Sequence, residues 1–337
     1  LSLPALHAQI ADDTTIECGT VSATINENTG RLVNQIYHHQ PDIIAATNWL
    51  CNHEQLLHIV SRAKALLPHC CSVLGGPEFL GNNEAFLRKN KFVNGVCRGE
   101  GEEIFPIWLK VWNHPVNEWN QISGLCYLDE SDQYQDNGIA RVMNFSQLVS
   151  PEKSRFFNWS KPFVQLETTR GCFNTCAFCV SGGEKPVRTM SLEAIRERLN
   201  VIHQHGIKNV RVLDRTFNYN NKRAKELLHL FREYAPDICF HLEIHPALLS
   251  EELKEELAIL PNGLLHLEAG IQSLREPVLE KSRRIGKLSD ALQGLKYLCS
   301  LKNMETHADL IAGLPLYHLS EIFEDVRTLA EYGAGEI

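Results

Sequence analysis

No apolar run in this 337-residue chain approaches the roughly 20 residues that a membrane-spanning helix needs. No secretory leader is legible at its start. Positive charge is scarce: 33 lysines and arginines stand against 41 aspartates and glutamates. The resulting net charge of −8 excludes broad, non-specific binding to nucleic acid and leaves room only for a local basic patch. With 44% hydrophobic and 22% charged residues, the chain is neither disordered nor collagen-like. At roughly 100–200 residues per domain, its length predicts about two domains. It opens on Leu1 rather than Met and stops at Ala334-Gly335-Glu336-Ile337, so a fragment lacking both ends is expected.

Cysteine, by contrast, is plentiful. Eleven is an odd number and cannot be fully paired within one chain. A reducing, cytoplasmic setting is expected, in which clustered cysteines bind metal or do chemistry rather than form disulfides.

The first half alternates strand and helix signals. Asp42 to Thr47 is a short apolar run after a proline, and Asn52 to Leu67 carries apolar residues at the spacing of a one-faced helix. Cys71 to Leu74 is a second strand, ended by Gly75-Gly76-Pro77. A short helix over Glu84 to Lys89 precedes a third strand, Phe92 to Cys97, and a helix running to Trp112. This alternation predicts a parallel, doubly wound, Rossmann-like sheet. Ligands of such sheets sit beyond the carboxyl ends of the strands. Those ends are Asn48 to Asn52, Gly75 to Glu78 and Gly99 to Glu102. Residues 113–160 read as a linker, with a small hairpin at Gly124 to Asp129 and Ala140 to Asn144, so the expected domains are 1–112 and 161–337.

The second half repeats the beat. Strands are expected at Phe163 to Thr168, Asn209 to Asp214, Cys239 to Ile244, Leu264 to Gly270 and Glu305 to Ile311, with amphipathic helices between them. Ser191 ahead of Glu193 and Ala194 is a helix start. Five βα units, with a sixth strand beginning at the last residues, predict a partial (βα)6 barrel whose chemistry lies at the carboxyl ends of its strands.

Directly after the first of these strands comes Cys172-x3-Cys176-x2-Cys179. Three thiolates within eight residues of one loop converge on one metal centre, and soft sulfur ligands suit iron–sulfur clusters and zinc. A structural zinc site wants a fourth ligand, and the nearest later candidate is His203. Three reduced cysteines without metal is the plain alternative.

The surrounding text, Glu167-Thr168-Thr169-Arg170-Gly171-Cys172-Phe173-Asn174-Thr175-Cys176-Ala177-Phe178-Cys179, closely resembles the cluster loop of radical S-adenosylmethionine enzymes. Phe178 fills the aromatic position before the third cysteine. The resemblance runs on through Val212 to Asn218, with Asp214; through Glu243 at a strand end; and through Leu267-Glu268-Ala269-Gly270-Ile271-Gln272-Ser273. It continues with Val278-Leu279 and Arg284, then Asp309-Leu310-Ile311-Ala312-Gly313-Leu314-Pro315. It implies a [4Fe-4S] cluster on Cys172, Cys176 and Cys179, with one iron left open for S-adenosylmethionine. Phe178, Glu268, Gln272, Ser273, Arg284, Asp309 and Gly313 are then implied cofactor contacts, with Arg283 a rival for Arg284. Glu268, Asp214 and Glu243 are implied catalytic residues. Reduction of the cluster is implied to cleave the sulfonium and yield a 5′-deoxyadenosyl radical.

The first half is similar to the cobalamin-binding domain that precedes many such cores, on Pro41-Asp42-Ile43-Ile44, Leu74-Gly75-Gly76-Pro77-Glu78 and Arg98-Gly99-Glu100-Gly101-Glu102. That likeness implies bound cobalamin near Asn52, Gly75, Gly76, Gly99 and Glu100. The glycines are either small enough to let a corrin approach or simply tight turns. The D-x-H-x-x-G loop that carries a lower cobalt ligand in many of these domains does not occur, and His7 reads as a surface helix residue. The other eight cysteines show no second cluster spacing. By alternation His241, Glu243 and His245 share a strand face, lining the barrel interior or packing in its core.

The expected function is therefore a radical S-adenosylmethionine enzyme, with cobalamin as methyl carrier for methyl transfer to a small-molecule or natural-product substrate. An electron donor of the flavodoxin or ferredoxin kind and no membrane partner are implied. The alternatives are a methylthiotransferase, which needs a further cysteine trio before Cys172 that is not found, or a non-catalytic zinc or iron–sulfur module.

Overall fold

The computed structural model of the chain describes residues 2–181 and 183–337. It divides into two compact units, the first made by residues up to Met143 with Gln147–Phe157, the second by Asn144–Ser146 with Asn158–Ile337. No helix among the described residues is long and apolar enough to cross a membrane.

The first unit contains helices α1 (Ser2–Ala8) and α2 (Thr29–His39), strand β1 (Ile43–Thr47), α3 (His53–Leu66), β2 (Cys71–Gly75), α4 (Glu84–Lys89), β3 (Gly95–Cys97), α5 (Gly101–Leu109), β4 (Leu125–Leu128) and β5 (Tyr134–Asp136). They build one sheet in the order β1-β2-β3-β4-β5, parallel through β3 and antiparallel beyond it. β2 is apolar along nearly its whole length because it is covered on both faces. On one face Leu74 packs with Ile44 and Val96 against Val60 and Ala63 of α3 and Leu87 of α4. On the other, Cys71, Val73 and Cys97 pack against Ile104 and Trp108 of α5 and against Trp119.

The sequence expectation needs correction in segment 113–160. β4 stands where the first hairpin strand was expected, but its partner is Tyr134–Asp136, not Ala140–Asn144. The reason is local. Asp129 Oδ1 accepts from the backbone N–H of Ser131 and of Gln133, which closes a tight turn straight after β4. Ala140 instead bridges Gly99, exchanging hydrogen bonds with Arg98 and Glu100. Both strands extend the first sheet, since β4 pairs with β3.

The second unit runs β6 (Val164–Leu166), β7 (Thr169–Arg170), β8 (Arg188–Thr189), α6 (Leu192–Gln204), β9 (Asn209–Val212), α7 (Asn221–Arg232), β10 (Cys239–Ile244), α8 (Glu251–Ala258), β11 (Leu265–Gln272), α9 (Glu276–Lys281), α10 (Leu288–Ser300), β12 (Glu305–Leu310) and α11 (Leu319–Glu331). β6, β9, β10, β11 and β12 lie side by side in chain order, all parallel. The carbonyl of Glu336 accepts from Ala308 N–H, so the last residues begin to pair along β12.

Each strand alternates. Phe240, Leu242 and Ile244 are buried, and Phe231 of α7 stacks on Phe240 with ring centroids 4.1 Å apart. The helices bury Ile195 and Leu199, Leu227 and Leu228, Leu253 and Leu257, and Leu295 and Leu298. α10 comes so close to the turn after β10 that a Cβ on Gly294 would overlap the Pro246 carbonyl. The opposite strand positions, among them His241, Glu243, His266, Glu268, His307 and Asp309, are only partly buried and form a polar face.

Candidate cofactor site

The cysteine loop hangs from a pinched neck. β6 ends at Leu166, and the chain turns into β7, which pairs antiparallel with β8 as Thr169 with Thr189 and Arg170 with Arg188. Cys172 N–H donates to Glu184 O and Gly183 N–H to Asn174 O. Gly171 has φ +93°, and a Cβ there would press on Glu184 O at 2.6 Å, so this neck closes only with glycine. The buried Asn174 accepts through Oδ1 from the N–H groups of Thr175 and Ile285. Ala177 N–H donates to Ser282 O, which ties the loop to the end of α9.

Within the loop Cys172 and Cys176 are buried and Cys179 is partly exposed. All are free thiols. Burial pushes the Cys172 thiol up, and the nearby Cys179 and Cys176 add to that shift. The Asn174 N–H and the Thr216 hydroxyl oppose it. Three thiols on one loop, two buried and one partly exposed, are the donor types of a cluster or of zinc. His203, the candidate fourth zinc ligand, instead pairs with Asp237 through Nε2 at 3.0 Å. Phe178 is 38% exposed at the loop tip.

Asp214 sits under the neck rather than in the open. It is 1% exposed, and its Oδ1 accepts from the backbone N–H groups of both Thr168 and Thr169 at 2.8 Å, while Oδ2 accepts from the Thr168 hydroxyl. Burial pushes its carboxyl up to about 6, against these hydrogen bonds. These hydrogen bonds hold the strand end from which the cysteine loop starts.

Arg284 and Arg283 are distinguished clearly. Arg283 is exposed, whereas Arg284 is partly buried, donates from Nη2 to Gly270 O at 2.6 Å and brings Nη1 to 3.9 Å from Cys176 Sγ. Gln272 follows a β-bulge in β11, has φ +74° and folds back over Gly270, whose missing Cβ makes room for it. Ser273 is fully buried, and its hydroxyl accepts from Arg275 N–H. Gly313 has φ +86° with open space on its Cβ side.

The polar face carries linked acids. Glu268 Oε2 lies 2.7 Å from His241 Nε2 and 3.6 Å from His307 Nε2. The hydrogen bond from His241 holds Glu268 ionised, well below the usual carboxylate range. Burial, then the hydrogen bond to Glu268 and its charge, push Asp309 up to about 7. Burial and the same neighbour also raise Glu243. His245 does not join this face as expected: the strand ends at Ile244, and the buried His245 ring turns its Nε2 to Ile285 O at 2.9 Å. His266 and His307 were missed in the sequence, and each shows there as one histidine in an alternating strand.

In the first unit the expected contacts hold loops closed. Asn52 accepts from Trp49 N–H and donates to Thr47 O. Glu100 accepts from Val142 N–H. Gly76 (φ +115°) and Gly99 (φ +114°) present their Cβ sides to the backbones of Asn48 and Ala140. These two glycines are therefore required by loop-to-loop contact, which accounts for them as tight turns. Gly75 is only in ordinary contact range of Cys97. Beside these loops Trp49 and Leu50 are exposed and the side-chain oxygen of buried Asn48 has no partner.

Residues 166–329 match the Radical SAM superfamily. The chain is 26% identical over 292 residues to an uncharacterized methyltransferase of Pyrococcus horikoshii, covering 82% of this chain and 61% of that protein. It is 20% identical over 315 residues to the cobalamin-dependent radical SAM methyltransferase TokK of Streptomyces tokunonensis, covering 88% and 46%. It is 21% identical over 318 residues to the cytidylyl-2-hydroxyethylphosphonate methyltransferase of Streptomyces wedmorensis, covering 82% and 58%. The chain thus spans about half the length of these curated relatives. Its fold is similar to that of the radical S-adenosylmethionine methyltransferase TsrM of Kitasatospora setae, with TM-score 0.77 and 16% identity over 99% of this chain and 68% of that one. It is also similar to the cobalamin-dependent S-adenosylmethionine radical enzyme OxsB, with TM-score 0.74 and 18% identity over 97% and 49%. The three-cysteine loop, its neck and the parallel strands that follow all lie within residues 166–329, the stretch that matches the Radical SAM superfamily.

Proposed function

We propose that this chain is the cofactor-binding part of a cobalamin-dependent radical S-adenosylmethionine methyltransferase acting on a small molecule. The observation that carries the reading is the single loop bearing Cys172, Cys176 and Cys179, held on the β7–β8 neck with Cys176 beside Arg284. Relatives named as radical SAM methyltransferases support it. The finer architecture belongs to the same reading: the first sheet as a Rossmann-type cobalamin-binding domain with helices on both faces, the second as a partial (βα)6 barrel. Support for the barrel comes from five parallel strands in chain order and the pairing at Glu336. A cytoplasmic setting, which keeps thiol ligands reduced, and a flavodoxin- or ferredoxin-like electron donor complete the proposal.

When bound, the cluster and S-adenosylmethionine supply one-electron and radical chemistry, and cobalamin carries the methyl group. The thiols of the three cysteines hold the cluster as thiolates. Arg284, fixed by Gly270 O, offers its cationic Nη1 side to a carboxylate. Ionised Glu268 accepts hydrogen bonds from an amine or ribose hydroxyls, and Asp309 stands beside it as a second polar contact. Gln272 and Gly313 shape the backbone beside them, and Phe178 lies at the loop tip. In the first unit, Trp49 and Leu50 give an apolar edge at the end of β1, and the unpaired Asn48 oxygen is an acceptor there, which fits a large, flat, amide-bearing group such as cobalamin.

Anaerobic reconstitution tests the reading. About four irons per chain and S-adenosylmethionine cleavage are expected, with both lost in Cys176→Ala, together with cobalamin retained through purification. Bound zinc with no cleavage would overturn it.

A further inference from the structure

Register brings together on the polar face side chains of which the proposed cofactor site uses Glu268 alone. His241 on β10 pairs with His266 on β11, and Glu268 on β11 pairs with His307 on β12. Glu268 therefore lies between two imidazoles on the polar face. Its Oε2 is 2.7 Å from His241 Nε2 and 3.6 Å from His307 Nε2. The three donor atoms all lie within 4.8 Å of one another. Ligands about 2.0–2.2 Å from one cation stand at similar separations, so only small side-chain movements would bring them onto it.

The surroundings favour the same arrangement. A histidine that ligates through Nε2 carries its proton on Nδ1, and that N–H needs an acceptor. His307 Nδ1 lies 2.8 Å from His266 Nε2. His266 Nδ1 in turn faces Glu305 Oε2 at 3.8 Å. One proton assignment satisfies the whole row: His307 donates to His266, and His266 turns its own N–H toward Glu305. Asp309 Oδ1, 3.7 Å from His307 Nε2, is a further oxygen donor at the rim. A simple His241–Glu268 hydrogen bond accounts for one of these contacts and leaves the His307–His266–Glu305 row without a purpose.

We infer that His241, Glu268 and His307 form a binding site for a divalent first-row cation of the zinc, iron(II) or cobalt(II) kind, with His266 orienting His307. Two imidazoles and one carboxylate suit these ions better than magnesium or calcium, which prefer oxygen, and leave coordination positions open to a further ligand. The inference does not rest on the proposed radical reaction. It shares Glu268 with that reading, but its other ligands come from strands rather than from the cysteine loop.

The test uses the full chain carrying Cys172→Ser, Cys176→Ser and Cys179→Ser, stripped with chelator and titrated with Co2+ by visible absorption and calorimetry. One Co2+ per chain is expected, with ligand-field bands of a nitrogen–oxygen set and no sulfur-to-cobalt charge transfer. Affinity should fall at least tenfold in His241→Gln and in His307→Gln, and roughly tenfold in His266→Phe, which removes only the acceptor behind His307. Melting without metal checks that each variant is folded. His241→Phe replaces His241→Gln if the glutamine variant does not fold. Absence of saturable binding, binding unchanged by both ligand substitutions, or binding with thiolate charge-transfer bands would each overturn the inference. Because this protein holds no cluster, none of these outcomes bears on S-adenosylmethionine cleavage, and the wild-type iron count does not bear on them.

Discussion

At the residue scale, Asp214 shows how a buried strand-end carboxylate braces the backbone. Its buried carboxylate takes two backbone N–H groups and a hydroxyl, yet burial still dominates and holds its pKa at about 6, above the 3.8 of an exposed aspartate. The sign follows from proton counting. Below both values the acid is protonated folded and unfolded alike. Between about 4 and 6 the unfolded chain releases its proton first, so stability falls as pH rises, by about 3 kcal/mol in total. Asparagine reproduces the geometry, with its oxygen accepting both N–H groups and its amide donating to the Thr168 hydroxyl. Thermal melts of Asp214→Asn should therefore lack this pH 4–6 slope, and its iron content after reconstitution should match wild type. Parallel wild-type and variant profiles would show that burial costs the carboxylate little.

At the element scale, the cysteine loop is defined by its neck. β7 and β8 are two residues each, too short to be recognised as strands by periodicity, and they form because Gly171 lets the chain reach Glu184. Gly171→Ala introduces both a left-handed backbone strain of roughly 1–2 kcal/mol and a collision with the Glu184 carbonyl. The expected result is a chain that folds, with the melting temperature of its first unit unchanged, but retains less than half the wild-type iron after anaerobic reconstitution. Iron loading equal to wild type would mean that the neck does not shape the loop.

At the scale of the whole molecule, two units with separate cores make ligand effects separable. On the proposed reading, S-adenosylmethionine bound at Arg284 and Glu268 stabilises the folded second unit. At a hundredfold excess over its Kd it should add about 2.7 kcal/mol. For a unit of this size that raises the melting temperature by roughly 5–10 °C. Scanning fluorimetry of the cluster-loaded protein should show this shift, and Arg284→Ala should remove most of it. A full shift in the variant would place the carboxylate contact elsewhere.

Much was already legible in the chain itself. Cys239 to Ile244 alternates so cleanly that its strand limits emerged to the residue, and Ser191 capped its helix as its hydroxyl predicted, accepting from Ala194 N–H. The three cysteines are close in sequence, so their spacing alone made them neighbours. Period, caps and short-range motifs are local, and local sequence determines them. What lay beyond reach was whatever depends on partners far apart along the chain. β5 at Tyr134 rather than Ala140 was decided by the Asp129 turn, which folds it back onto the free edge of β4. Ser273 and Asp214 look like exposed strand-end polar groups until Tyr317, Asp325 and the β7 neck bury their surroundings. The His241–Glu268–His307 face exists only because β10, β11 and β12 align in one register. Each histidine stands alone in its own strand, and only the sheet's hydrogen bonds set which residues meet across it.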